Sequence, residues 1–227
     1  MHNRKAGFAF VGMGAVLLIA ALFLFLYNEG NNARKEEENR DIYEELSRII
    51  EQKKEEQATE IDTEIQEETE FVPLEILTTE EERSAEPEET PTTSMMTLAT
   101  VDGYDYIGIL ELPALELAVP ILSDWDEKKL DIALCRHFGS AKTDDLVIAG
   151  HNYRRHFLNL SKLDIGDEVR FIDMDGTLID YTVAEKQTLK ATDVDMVLES
   201  EYDLILYTCT YSGTERTAVF CKRTTQK

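Results

Sequence analysis

The chain has 227 residues, 43% of them hydrophobic, with a formal net charge of −23. That length accommodates one domain of roughly 100–150 residues plus appendages. So acidic a chain, with no basic stripe, excludes nucleic acid as a partner, because phosphate binding needs clustered Lys and Arg.

The N-terminal five residues carry Arg4 and Lys5, and residues 6–27 (AGFAFVGMGAVLLIAALFLFLY) carry no charge. At about 1.5 Å rise per residue such a stretch is long enough to cross a hydrocarbon core of about 30 Å. The flanking basic residues predict a cytoplasmic tail over 1–5 and a single-pass anchor over 6–27, with everything beyond it outside the cell. A cleaved signal peptide is the competing reading. The apolar run exceeds the usual length of such a core, and no clear cleavage site follows it.

Residues 28–99 hold 23 acidic and 7 basic side chains. Ile42, Leu46, Ile49 and Ile50 fall at helical spacing, which predicts a charged helix over about 34–58. From about 72 to 99 the composition is rich in Glu, Thr, Ser and Pro and buries too little apolar surface to offset ordering entropy. The whole region is expected to be an acidic helical or disordered stalk, a spacer that holds the next domain off the membrane. An acidic partner-binding tail is the alternative.

The segment 100–227 is expected to be the folded domain. Strand patterns fall at Tyr106–Leu112, Leu117–Leu122, Leu146–Ala149, Val169–Asp173, Leu178–Ala184, Leu204–Thr208 and Thr217–Cys221. Asp175-Gly176 and Ser212-Gly213 supply hairpin turns. Short helical patterns fall at Asp126–Leu134, Phe157–Leu163 and Asp193–Leu198. Many short strands with few helices predict a mainly β fold, a closed barrel with small helices inserted.

Three residues carry candidate chemistry. Cys209 closes the apolar strand LILYTC beside a polar turn, where a thiolate can meet a substrate. Taken alone, it also fits a buried structural cysteine. His151 closes a second strand, LVIAGH, with Gly150 leaving backbone room. His137 and His156 sit in less defined surroundings. Arg216 opens the strand across the hairpin from Cys209, placed for an oxyanion. Arg223 lies at the far end of that strand, away from Cys209.

Together, AGH, LYTCTYSG and the following arginine strand resemble the sortases, as does the order of anchor, spacer and C-terminal barrel. The likeness runs from about Tyr106, with IGILELP near its start, to Arg223. The family's T-L-x-T-C reads Ile205-Leu206-Tyr207-Thr208-Cys209 here, with Ile205 replacing the first Thr at a strand position. The resemblance implies an eight-stranded sortase barrel and a cysteine-type transpeptidase, a thiol protease of the hydrolase class. It implies Cys209 as nucleophile, His151 as acid and base, Arg216 as stabiliser of substrate or oxyanion, and Thr208 as a substrate-groove residue. The substrate would be an LPxTG-like C-terminal sorting motif of a secreted protein, transferred through a thioester to an amine of a Gram-positive cell wall or a pilin lysine. No cofactor and no metal are expected. The pair His151-Asn152 hints at a housekeeping or class B-like member.

Cys135 and Cys221 complete an odd set of three thiols. Both a Cys135–Cys221 bridge and two buried free thiols are open, the second preferred. Phe171–Asp180 (FIDMDGTLID) resembles the D-x-D-G-T-L motif of haloacid dehalogenase-like phosphatases, with Asp173 as phosphoryl acceptor. That chemistry needs a large α/β sheet after the motif, whereas a second strand follows, so a hairpin is the expected reading. A non-enzymatic surface-binding module would account for anchor and barrel but not for the Cys, His and Arg set.

Overall fold

A computed structural model describes residues 2–67, 96–193 and 200–224. The chain divides into two compact units, residues 1–41 and 42–227. Helix α1 spans His2–Glu67. In the first unit the side chains of residues 16–19 and 22–27 stand exposed all round the helix, among them Val16, Leu18, Phe23 and Phe25. Among the described residues, no helix is long and apolar enough to cross a membrane. The acidic and Pro-rich stretch over 68–95 lies outside the described residues, as does the expected helix beyond Asp193 up to Leu198.

The second unit contains nine strands: β1 (Ala99–Val101), β2 (Tyr104–Leu112), β3 (Leu117–Leu122), β4 (Leu134–Phe138), β5 (Leu146–Gly150), β6 (Glu168–Asp173), β7 (Leu178–Lys190), β8 (Leu204–Cys209) and β9 (Glu215–Arg223). They pair in the order β1-β2-β3-β4-β5-β8-β9-β7-β6, and β6 pairs back onto β2. That last pairing closes β2 to β9 into an eight-stranded barrel and leaves β1 as a short flap on β2. Closure removes the sheet edges, where unpaired backbone groups would otherwise invite aggregation. Gly108 permits it: a Cβ there, at φ +154°, would lie 2.2 Å from the Ile172 carbonyl oxygen on β6. The connections carry single 3-10 turns at Lys129–Asp131 and Leu160–Lys162 where short helical patterns were expected.

Strand alternation sorts the side chains onto two faces. Leu146, Ile148, Leu204, Leu206, Val219 and Cys221 point into the barrel core with Leu110, Phe171 and Tyr181. Val147, Ile205, Ala218 and Phe220 form a second cluster on the outer face. A third, also outside, joins Tyr106, Ile109, Leu122, Cys135, Ala149 and Met174 to Ile42, Leu46 and Ile50 of α1. Residues four apart share one face of a helix, so Ile42, Leu46 and Ile50 form a single stripe. That stripe is buried on the barrel, and burial of a Leu such as Leu46 contributes about 1.5–3 kcal/mol. The helix predicted over about 34–58 is therefore present. Its apolar residues from Ile42 onward belong to the folded unit, where a free-standing spacer was expected.

The D-x-D-G-T-L segment is a β6–β7 hairpin. The Asp173 carboxylate accepts the N–H groups of Asp175 at 3.0 Å and Thr177 at 2.8 Å. Asp173 is thereby spent on holding the turn, and Gly176 takes φ +80° within it. Cys135 and Cys221 are both free and buried. They belong to different clusters, Cys135 outside the barrel and Cys221 inside it.

Candidate active site

β5 and β8 run parallel and in register, Ala149 opposite Tyr207 and Gly150 opposite Thr208. β8 and β9 run antiparallel, Tyr207 opposite Ala218, Thr208 opposite Thr217 and Cys209 opposite Arg216. His151 follows Gly150, one residue beyond the last paired position of β5, at the end of the sheet where β8 ends in Cys209. The three residues His151, Cys209 and Arg216 thus form one transverse row at the end of three neighbouring strands. Period-two alternation places this row on the outer face, with Ala149, Tyr207 and Ala218 in the same column of side chains. All three are partly exposed. Thr208, one step back, points inward and is buried.

Local structure holds each position. Gly150 is packed so closely that a Cβ would lie 2.3 Å from Leu134 Cδ2 and 2.8 Å from Phe157 Cδ2. The loop after His151 folds straight back, the Phe157 N–H donating to the His151 carbonyl at 3.1 Å. The β8–β9 turn is closed by Thr210 N–H to the Glu215 carbonyl and Gly213 N–H to the Thr210 carbonyl, both 2.9 Å. Gly213 supplies the positive φ of +75° that the turn requires. The Arg216 guanidinium lies along this turn, its Nη1 donating to the carbonyls of Gly213 at 3.2 Å and Glu215 at 3.1 Å.

A cleft of about 200 Å³ opens beside Cys209. Asn152, Phe157 and Leu158 line it from the loop after β5, and Thr208 and Thr217 from the two hairpin strands. The Thr208 hydroxyl is buried and makes no hydrogen bond within the protein. Thr208 is among the residues that line the cleft, and its buried hydroxyl is unspent.

Several neighbours were not singled out from the sequence. Asp131 Oδ1 lies 3.5 Å from His151 Nε2, and the Tyr153 hydroxyl donates to the same oxygen at 3.4 Å. The Tyr153 ring lies against that of His151, centroids 4.6 Å apart. His137 sits between Trp125 and Tyr207 in edge-on ring contacts, its Nδ1 3.1 Å from the Tyr207 hydroxyl. Burial holds the His137 ring below the usual imidazole range and pushes Tyr207 up to about 12. His156 is buried instead of facing the cleft. Arg223 lies at the opposite end of β9, its Nη1 on Asp144 at 2.7 Å. No signal in sequence spacing links Asp131 to His151, because the contact crosses from the β3–β4 connection to the end of β5. Among the described residues, no three His, Cys, Asp or Glu side chains are grouped to hold a metal ion.

The family model of the sortase domain matches residues 110–224, which takes in His151, Cys209 and Arg216. The chain belongs to the sortase family. Among solved structures, sortase C1 from Streptococcus agalactiae is 24% identical, with a TM-score of 0.50, over 56% of this chain and 72% of that one. Sortase A from Corynebacterium diphtheriae is 20% identical, with a TM-score of 0.49, over 55% of this chain and 63% of that one. Sortase C from Streptococcus pneumoniae is 26% identical, with a TM-score of 0.49, over 53% and 67% of the two chains. The curated proteins contain no match to this chain. The matched sortase domain begins within β2 and runs through β9, so α1 and β1 lie outside it.

Proposed function

We propose that this sortase is a cysteine transpeptidase whose catalytic group is Cys209. The observation that carries the reading is the single row of His151, Cys209 and Arg216 across β5, β8 and β9. The substrate is a secreted protein ending in an LPxTG-like sorting motif. The Cys209 thiolate attacks the threonyl-type carbonyl carbon, forming a C–S bond. Arg216 leaves the turn carbonyls and donates to the developing oxyanion or the peptide backbone. The peptide C–N bond then breaks, and His151 protonates the departing amine. An amine from a cell-wall precursor or a pilin lysine attacks the thioester and gives its proton to His151, and the thiolate leaves. Thr208, which lines the cleft, contacts the bound peptide.

The same reading places the enzyme at the cell membrane, held by residues 6–27 with the N-terminus cytoplasmic and the barrel outside. The uncharged run and the exposed apolar side chains over 16–27 support it, since an apolar surface of that kind needs a covering. Residues 28–41 then serve as the spacer.

The test uses the full chain in detergent with a library of sorting-motif peptides and an amine acceptor. Mass spectrometry is expected to find a peptide thioester on Cys209 and a transpeptidation product, both lost in Cys209→Ala. Undiminished product from Cys209→Ala would sink the proposal. Release of phosphate dependent on magnesium and lost in Asp173→Asn would favour the phosphatase instead.

A further inference from the structure

His151 stands on the first residue after β5, and a residue at a strand end has few neighbours to fix its ring. Two groups nevertheless converge on one side of it. Asp131, in the 3-10 turn Lys129–Asp131, presents Oδ1 at 3.5 Å from His151 Nε2. Tyr153 lies against the ring face and donates its hydroxyl to the same carboxylate oxygen at 3.4 Å. Asp131 is itself held in place, because Arg155 Nη2 donates to its backbone carbonyl at 2.5 Å. The turn is anchored at its start by Asp126, whose carboxylate accepts the N–H groups of Lys128 and Lys129. The carboxylate thus sits on an ordered turn opposite one named ring nitrogen.

We propose that Asp131, supported by Tyr153, is the positioning residue for His151, holding Nε2–H and leaving Nδ1 to exchange the proton with sulfur, leaving group and acceptor. This rests on the reading of His151 as the acid and base of the Cys209 reaction. In a neutral imidazole one nitrogen carries the proton and the other the lone pair, and a hydrogen-bond acceptor beside one selects the tautomer. An acceptor at Nε2 therefore delivers the lone pair at Nδ1. It also stabilises the imidazolium that forms when Cys209 gives up its proton. Tyr153 adds two constraints: its ring limits rotation of the imidazole, and its hydroxyl donates to the carboxylate oxygen that faces Nε2. The Asp131 side chain is 58% exposed, so water competes with it and its effect is smaller than that of a buried carboxylate.

The experiment compares Asp131→Asn, Asp131→Glu and Tyr153→Phe with the parent and with Cys209→Ala, all as full chains in detergent. Asp131→Asn is expected to lower kcat about ten-fold with KM changed less than about two-fold, since the loss falls on proton transfer and not on peptide binding. Asp131→Glu is expected to recover part of the loss, and Tyr153→Phe to cost about three-fold, as one of two supports is removed. Nitrogen-15 labelling of histidine supplies the spectroscopic readout. The His151 signals are expected to report a predominantly Nε2–H tautomer in the parent and a mixture in Asp131→Asn, with an unchanged melting temperature. Unchanged kcat in Asp131→Asn, an effect confined to KM, or an unaltered tautomer would overturn the proposal. If Cys209→Ala keeps full activity, the underlying reading fails instead, and the two failures are told apart by that one variant.

Discussion

Cys135 and Cys221 lie in apolar clusters on opposite sides of the barrel wall, and burial pushes each thiol up to about 12. At pH 8 only about one in ten thousand of either is ionised, and the thiolate is the reactive form. Cys209, half-buried at a strand end beside the cleft, is under no such restraint of access. A disulfide reagent at pH 8 is therefore expected to titrate one thiol per native chain and three after denaturation, the native signal vanishing in Cys209→Ala. Colorimetric titration checks both numbers. Gly150 bears on the same site from behind. Its Cα faces Leu134 and Phe157 with no room for a methyl group, and His151 is the next residue. Gly150→Ala is expected to cost about 1–3 kcal/mol through overpacking and to lower kcat/KM at least about ten-fold by moving the end of β5. Thermal melts and peptide-cleavage rates measure the two effects. The strand-end positions of His151, Cys209 and Arg216 were legible in the sequence because each borders a short apolar strand. Asp131 and Tyr153 were not, because only the folding of two loops toward each other brings them to His151.

The β6–β7 hairpin shows how an element overrides a motif. FIDMDGTLID reads locally as a phosphate-transfer signature, yet Asp173 is used by the turn and Asp175 by neighbouring side chains. Asp173 is 6% exposed and accepts two backbone N–H groups, and Asp175 accepts from Thr97 and pairs with Lys53 and Lys142. Those partners hold the Asp175 carboxyl below the usual range despite its partial burial. Asp173→Ala orphans the Asp175 and Thr177 N–H groups and is expected to cost about 1–3 kcal/mol. Thermal unfolding measures that loss, and added magnesium should elicit no phosphate release from parent or variant. The strands that alternate cleanly were legible at this scale. β4 was not foreseen: the helical reading of Asp126–Leu134 stopped at its first residue, and LCRHF, broken by a bulge between Arg136 and Phe138, shows no clean alternation. The second half of β7, from Glu185 to Lys190, was missed because it is polar and half-exposed. It is held in the sheet by β9 alone.

At the scale of the molecule, composition alone divided an acidic region from a folded one near residue 100, and that division cuts through the packing. Among the described side chains of α1 the acidic ones are exposed or half-buried, whereas Ile42, Leu46 and Ile50 pack with Tyr106, Ile109, Leu122 and Met174. Lys53 pairs with Asp175 and Lys54 lies over Gly176, so the helix also braces the β6–β7 turn. Charge counts average over a helix, and four-residue spacing in so short a stripe does not say which surface receives it. The consequence is that the compact unit that holds the barrel begins at about residue 42. Leu46 is fully buried, and Leu46→Ala is expected to destabilise the unit by about 2–4 kcal/mol. A chain that starts at residue 100 loses the whole stripe and leaves Tyr106, Ile109 and Met174 uncovered. It is expected to bind a hydrophobic dye and to melt at lower temperature than a chain that starts at residue 35. If α1 were only a spacer, the two chains would melt together and Leu46→Ala would leave both midpoint and dye binding unchanged.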